Sequence, residues 1–413
     1  MLFASLLRRG IRRGCLTVVA ADGCRHECGD PGTGPAATIK LHDPALHWQL
    51  FANPWLRFGE AYMDGTLTVE EGSLHDVFAV AMLNFETLMG SGITPLIHSV
   101  ERALRWAMQR NPVGKAQRNV AHHYDLSRRL FALFLDESMQ YSCAYFPTPD
   151  ASLADAQRAK MRHIAAKLLL RPGQRVLDIG SGWGGLGIYL ARTADVEVLG
   201  LTLSKEQLAV ARDRAAAAGL SDRVRFELRD YREETGSYDR IVSVGMFEHV
   251  GVKHFPEYFG MIRTLLADDG VALLHSIGRR DGPGTTNAWI RKYIFPGGYS
   301  PALSEVLPVV ERSHLWVTDV EILRLHYAET LRHWHRNFIA NRAEIERLYD
   351  QRFCRMWEFY LVGSEMSFRC DVNMVFQMQL AKRIDAVPLT RDYMVDGERA
   401  LSRGLPQSAA AAD

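Results

Sequence analysis

Gly180, Gly182 and Gly185 stand at the spacing G-x-G-x-x-G. They follow the apolar run Val176-Leu177-Asp178-Ile179 and open a helical pattern, Gly184 to Arg192. A strand that turns into a helix at glycines lets the backbone come close to a ligand and presents helix N-terminal amides to it. The chemistry expected there is the binding of a nucleotide cofactor.

That spacing alone fits a nicotinamide dinucleotide as well. Two neighbouring features separate the cofactors. Asp178 stands two residues before the first glycine, giving D-x-G-x-G, the form common among S-adenosylmethionine methyltransferases. A dehydrogenase usually ends its second strand with an acid that holds the ribose. Here that strand ends Leu199-Gly200-Leu201-Thr202-Leu203-Ser204, with no acid. The hydroxyls of Thr202 and Ser204, with Gln207, are left to take that contact. Asp230-Tyr231 follows the third strand, where an adenine ring is usually held. Asp230 can accept from the exocyclic amine and Tyr231 can pack on the ring; the other reading is a capped loop. The cofactor read from these residues is S-adenosylmethionine.

The elements that must position these groups alternate in kind. Strands are expected at Val176 to Ile179, Glu197 to Thr202, Val224 to Leu228, Tyr238 to Val244 and Val271 to Ser276. Helices are expected at Leu153 to Leu170, Gly184 to Arg192, Lys205 to Ala218 and His254 to Leu266. Such alternation implies an α/β, Rossmann-like domain with a mostly parallel sheet and its ligand at the carboxyl ends of the strands. Beyond Ser276 lies a segment rich in glycine, proline and aromatics. Helical patterns then cover Asp319 to Glu346 and Leu348 to Glu365. The expected organisation is a small N-terminal α+β accessory domain over 1–90, a helical linker over 91–120, a catalytic domain over 121–400 and a flexible tail over 401–413. In the accessory domain, Leu16 to Val19 and Ala37 to Leu41 read as strands, separated by the loop Gly29 to Pro35.

The 413 residues are 47% hydrophobic and 23% charged, with formal net charge +1, which singles out no polyanionic partner such as nucleic acid. The six cysteines are too sparse for a disulfide scaffold, and unpaired thiols in a reducing cytoplasm are expected. No run of about 18 apolar residues predicts a transmembrane helix. Met1 to Arg13 places its apolar residues before its arginines, the reverse of a signal peptide, and reads as a short amphipathic surface helix. Ile97, Val100, Leu104 and Met108 share one helical face, with Arg102, Arg105 and Arg110 on others. That helix suits either an anionic membrane surface or packing between domains. His122-His123, His326, His333 and His335 lack the i, i+4 spacing of a helical metal site, and no metal is expected.

Several further stretches resemble the cyclopropane fatty acid synthases and the related mycolic acid methyltransferases. They are His123-Tyr124-Asp125-Leu126, Gln140 to Phe146, Gly245 to Gly251, Lys292 to Gly298 and Tyr327 to Trp334. Glu60-Ala61-Tyr62-Met63-Asp64-Gly65 is similar to the accessory domain of the phospholipid-acting members. The resemblance implies methyl transfer from S-adenosylmethionine to a cis double bond of a phospholipid acyl chain, then proton removal to close a cyclopropane ring. It implies bicarbonate as the base, held by Cys143, Glu248, His275, Tyr327 and the backbone of Ile277. It implies cofactor contacts from Tyr141, Ser142, Gly180, Gly182, Thr202, Gln207, Asp230 and Tyr231. It places the enzyme in the cytoplasm, peripherally on the inner face of the membrane, with unsaturated phospholipid as its partner and a homodimer left open. A related methyltransferase making a branched or methylene product is the alternative.

The chemistry accounts for these residue types. An alkene is a poor nucleophile and a sulfonium methyl a strong electrophile, so the protein must chiefly orient the two and exclude water. The carbocation left on the chain is best faced by aromatic rings, for which Tyr145, Phe146, Trp289, Phe295 and Tyr299 are candidates. Glu248 can serve an anionic bicarbonate by accepting its hydroxyl proton while His275 and Tyr327 donate. Cys143 is expected to offer a backbone amide or a neutral thiol.

Overall fold

The computed structural model describes residues 2–89 and 126–404. The linker helix read around Ile97 to Arg110, the His122-His123 pair and the tail from Gln407 lie outside the described residues.

The chain divides into two compact units. The first holds a four-stranded sheet, β1 (Gly14–Val19), β2 (Arg25–Asp30), β3 (Ala36–Leu41) and β4 (Leu67–Glu71), in the order β2-β1-β3-β4. β1 and β3 run parallel, and the two outer pairs are antiparallel. Strand β2 was not expected, because Arg-His-Glu-Cys-Gly-Asp shows no apolar alternation. As an edge strand it buries only Cys28. The N-terminal helix, Leu2–Gly10, is amphipathic as read, but it is not laid on the surface. Phe3, Ala4 and Leu7 pack in a core with Leu16, Val18, Ile39 and Val80, while Arg8 and Arg9 stay exposed.

This unit also takes in Gly284–Pro296 and Leu331–Val372. Two segments of the span 121–400, expected as one catalytic domain, are thus grouped with the N-terminal strands. The physical reason is aromatic packing on the helix Gln351–Cys370. Phe359 lies 5.0 Å from Phe78, 5.8 Å from Tyr62 and 4.7 Å from Trp289, ring centre to ring centre.

The second unit is built on a seven-stranded sheet. Its strands are β5 (Arg175–Ile179), β6 (Glu197–Thr202), β7 (Val224–Leu228), β8 (Tyr238–Val244), β9 (Leu266–Arg279), β10 (Trp316–Ile322) and β11 (Asn373–Ala381). The order is β10-β11-β9-β8-β5-β6-β7. β5 to β9 are parallel, and β11 runs antiparallel to both β9 and β10. The five parallel strands match the sequence reading closely, because a sheet covered on both faces demands apolar runs. Residues on β5 alternate between two cores. Leu177 and Ile179 face a cluster containing Phe247, Phe259 and Val306, and Val176 faces one containing Ile164, Leu190 and Val198. Helical continuity from Asp319 is corrected: residues 316–322 form the edge strand β10, and the helix begins at His326.

Candidate functional site

The carboxyl ends of β5, β6 and β8 surround a pocket, as the parallel order requires. Tyr141, Ser142, Asp178, Gly180, Gly182, Thr202, Gln207, Asp230 and Tyr231 all line it. Ser204 does not. It caps the helix Lys205–Ala217, its Oγ accepting from the Gln207 amide at 3.2 Å. Its hydroxyl oxygen thus satisfies a helix donor that would otherwise lack a partner. Ser204→Ala should cost about 1 kcal/mol and lower Tm by about 2–4 °C. Calorimetric titration should show cofactor affinity unchanged; a large loss of affinity would return Ser204 to the binding site.

The glycine loop is held to β6 by two bonds, the Gly180 and Ser181 amides both donating to Leu201 O at 2.9 Å. Gly180 has φ +86°, and a Cβ there would lie 2.8 Å from Met246 Cβ. Gly182 has φ +54°, and a Cβ there would meet no protein atom within 4 Å. The loop therefore offers bare backbone to open space, as a cradle for a ligand does. Asp178 is buried below it with Oδ2 lacking a hydrogen-bond partner. Burial raises its carboxyl to about 7, opposed by the nearby Lys160 charge.

Lys160 escaped the sequence reading. It is fully buried in the helix Leu153–Leu168, and its Nζ donates to Gln140 Oε1 and, at 2.9 Å, to Ser142 Oγ. Burial pulls its pKa down to about 8. Its signal in the sequence is periodic: Lys160, His163 and Lys167 follow Ala156 along the buried face of that helix.

Asp230 lines the pocket and also caps its own turn, accepting from the Arg232 amide at 3.0 Å. Arg232 forks onto it at 2.8 and 2.6 Å, with its guanidinium 5.6 Å from the Tyr231 ring centre.

None of Cys143, Glu248, His275, Ile277 and Tyr327 is in the pocket lining. Glu248 and His249 are adjacent but diverge, because β8 has ended and residues 247–249 form a 3-10 turn. His249 lines the pocket, held neutral by burial at about 4. Glu248 turns toward β9, where its Oε1 accepts from the Ile277 amide at 2.6 Å. The Ile277 carbonyl accepts from Ser276 Oγ at 2.9 Å. The Ile277 amide is thus committed to Glu248, which leaves the carbonyl as the part of the Ile277 backbone able to meet a ligand. Glu248 Oε2 is buried without a partner, and burial lifts the carboxyl to about 7 against the Ile277 hydrogen bond.

His275 is two residues from Ile277 on β9, so the two share a face of the strand. Cys143 is fully buried; burial raises its thiol far above the usual range, so it is the neutral thiol expected. The Ala144 amide donates to Thr330 Oγ1 at 3.0 Å. Tyr327 stands one turn before Thr330 on the helix His326–Ala340, so the two share a face of that helix.

Of the aromatic candidates, Tyr145 is stacked between His163 at 4.4 Å and His326 at 4.8 Å. Both its faces are taken, and it is not an open wall for a cation. Phe146 stacks on His326. Tyr299 donates its amide to Glu248 O at 2.9 Å. In the other unit Trp289 donates to Met63 Sδ, and Phe295 sets its ring edge-on to Tyr360. Glu60, in the Glu60 to Gly65 stretch, accepts from Lys292 at 2.7 Å and Tyr293 at 2.9 Å, which ties together two stretches singled out in the sequence. Among the described residues no group of His, Cys, Asp and Glu is arranged to hold a metal, and no helix is long and apolar enough to cross a membrane.

The family model described as mycolic acid cyclopropane synthetase matches residues 113–378. The chain belongs to that family. Within the cyclopropane synthetase family, it is 37% identical over 401 residues to the tuberculostearic acid methyltransferase UfaA1 of Mycobacterium tuberculosis, covering 91% of this chain and 90% of that one. It is 37% identical over 359 residues to the cyclopropane-fatty-acyl-phospholipid synthase of Escherichia coli, covering 86% and 90%. The solved mycolic acid cyclopropane synthase CmaA1, in complex with SAH and CTAB, superposes with a TM-score of 0.62 at 34% identity, covering 66% of this chain and 99% of its own. A second family model, a domain of unknown function, matches residues 3–92. As a cyclopropane synthetase-family protein, the chain is an S-adenosylmethionine-dependent methyltransferase, and the pocket at β5, β6 and β8 fits that cofactor in its bare glycine loop.

Proposed function

We propose that this protein methylates a cis double bond of an unsaturated phospholipid acyl chain and closes a cyclopropane ring, working at the inner surface of the cytoplasmic membrane. The observation that carries the reading is the Glu248 carboxyl, buried beside β9 with one oxygen left without a partner. Such an acceptor fits a ligand that brings its own hydroxyl, as bicarbonate does.

S-adenosylmethionine supplies the methyl, and bicarbonate supplies a base for the proton lost on ring closure. The chain's own residues do the rest. Gly180 and Gly182 give the cofactor a close backbone approach, and Asp178 and Gln207 line its pocket. When the C–S bond breaks and the new C–C bond forms, positive charge is left on the acyl chain. The buried surroundings exclude water that would capture it. The neutral Cys143 thiol is too weak a nucleophile to be alkylated there. Glu248 fixes the base by accepting from it, and His275 and Tyr327 donate to it.

The test is incubation of the purified protein with S-adenosylmethionine and liposomes of unsaturated phospholipid. Gas chromatography with mass spectrometry of the acyl chains should show a cyclopropane. Acyl chains that gain no carbon, with cofactor bound, would overturn the proposal. A branched or methylene chain would favour the second reading, a fatty-acyl methyltransferase. The similarity to the relative named a tuberculostearic acid methyltransferase is its support.

A further inference from the structure

We propose that Lys167 and Gln377 form a relay that fixes which ring nitrogen of His275 carries the proton, leaving Nε2–H as the donor and Nδ1 bare. The relay rests on the proposed function only for its purpose, since it gives His275 the form needed to donate to a bound anion.

Each group in the relay has a hydrogen-bond role fixed by its chemistry. Gln377 stands opposite His275 in the β9–β11 ladder. Its side chain reaches His275 Nδ1 at 3.1 Å through one amide atom and Lys167 Nζ at 2.8 Å through the other. A lysine ammonium has donors and no acceptor. The amide atom facing Lys167 must therefore be the oxygen, and the atom facing His275 must be the nitrogen. An amide NH2 only donates, so the ring nitrogen it meets must accept. In a neutral imidazole the proton then lies on the other nitrogen.

The arrangement is dry and anchored. Lys167 and Gln377 are each 1% exposed and His275 is 2% exposed. Lys167 also donates to Glu321. Burial works to raise the Glu321 carboxyl, but the His163 hydrogen bond and the Lys167 charge hold it at about 2. His163 bridges Glu321 and Glu398. Burial, with the Lys160 and Lys167 charges, keeps His275 well below the usual histidine range, so it does not take a second proton. A reversed tautomer would turn a lone pair toward an anion instead of a hydrogen. Gln377 and Lys167 are positioning residues in this account, because they act through His275.

The test reads the ring directly. The full chain is labelled with 15N-histidine, and two-bond proton–nitrogen spectra are recorded without substrate, with His275 assigned by its loss in His275→Asn. The parent should show a bare Nδ1 and a protonated Nε2. Gln377→Glu replaces the donor by a second acceptor of the same shape, and Nδ1 should gain a proton. A proton on Nδ1 in the parent, or a bare Nδ1 in Gln377→Glu, overturns the relay. In the lipid assay Gln377→Leu should lower kcat by about 10²-fold with KM for S-adenosylmethionine unchanged; full kcat overturns the positioning role. The parent spectrum needs no variant to fold. A parent with the expected tautomer that adds no carbon to any acyl chain refutes the proposed reaction and leaves the relay standing.

Discussion

Glu248→Gln is expected to lower the rate of product formation about 10³-fold, within the range a proton-handling carboxylate supplies, whereas Cys143→Ser should lower it only modestly. The amide keeps the shape of Glu248 and can still accept from the Ile277 amide. It cannot offer a charged acceptor at the buried oxygen that has no partner. Cys143 is a neutral thiol donating to the adjacent Ala144 carbonyl, a role a serine hydroxyl can fill. Equal losses in the two variants would undo the assignment. A pH profile adds a second test. Burial lifts the Glu248 carboxyl to about 7, so it is increasingly protonated below that pH, and the oxygen without a partner then presents a donor instead of a charged acceptor. Activity should therefore rise with pH through about 7, and this acid limb should vanish in Glu248→Gln. An unchanged limb in the variant would assign the titration to another group.

Gly182→Val is expected to weaken S-adenosylmethionine binding about 10²-fold, as read by calorimetric titration. The backbone there has φ +54°, which a β-branched residue adopts only with strain of about 1–3 kcal/mol. Each 1.4 kcal/mol or so is tenfold in affinity. That strain is carried with and without ligand, and the added side chain starts in space where nothing but its chain neighbours lies within 4 Å of its Cβ, so the lost affinity reports the approach of the ligand. Parent affinity in Gly182→Val would place the cofactor elsewhere. Gly180→Val makes the contrast, because its Cβ would collide with Met246 and destabilise the loop before any ligand arrives.

The legible part of this molecule is the part whose physics is local. β6, β7 and β8 fall on the residues read as strands, because each is a short apolar run closed by turn residues. The cofactor pocket follows from the glycine loop for the same reason. The illegible part depends on partners distant in sequence. β11 carries Gln377 and Gln379 on fully buried positions, and nothing near them in the chain reveals that Lys167 and Tyr393 satisfy them. Lys160 reads as surface until its two acceptors, Gln140 and Ser142, come from a different segment. The bond from the Ile277 amide to Glu248 is equally hidden, because Glu248 lies on the turn after another strand. The Ser204 cap is local, yet a serine after a strand can serve a ligand or a helix, and its sequence does not separate the two roles.

The chain's excursions at Gly284–Pro296 and Leu331–Val372 have a consequence for birth rather than for catalysis. β11 lies between β9 and β10 in the sheet but is the last of its strands to be synthesised. While the ribosome makes the residues between Arg279 and Asn373, the β9 edge has no native neighbour on that side. An unpaired edge is a template for unwanted pairing, and long-range closure is slow. The nascent protein is thus most exposed to misassembly near the end of translation, and a chain cut short before Asn373 is left with an open sheet and a His275 whose partner never arrives.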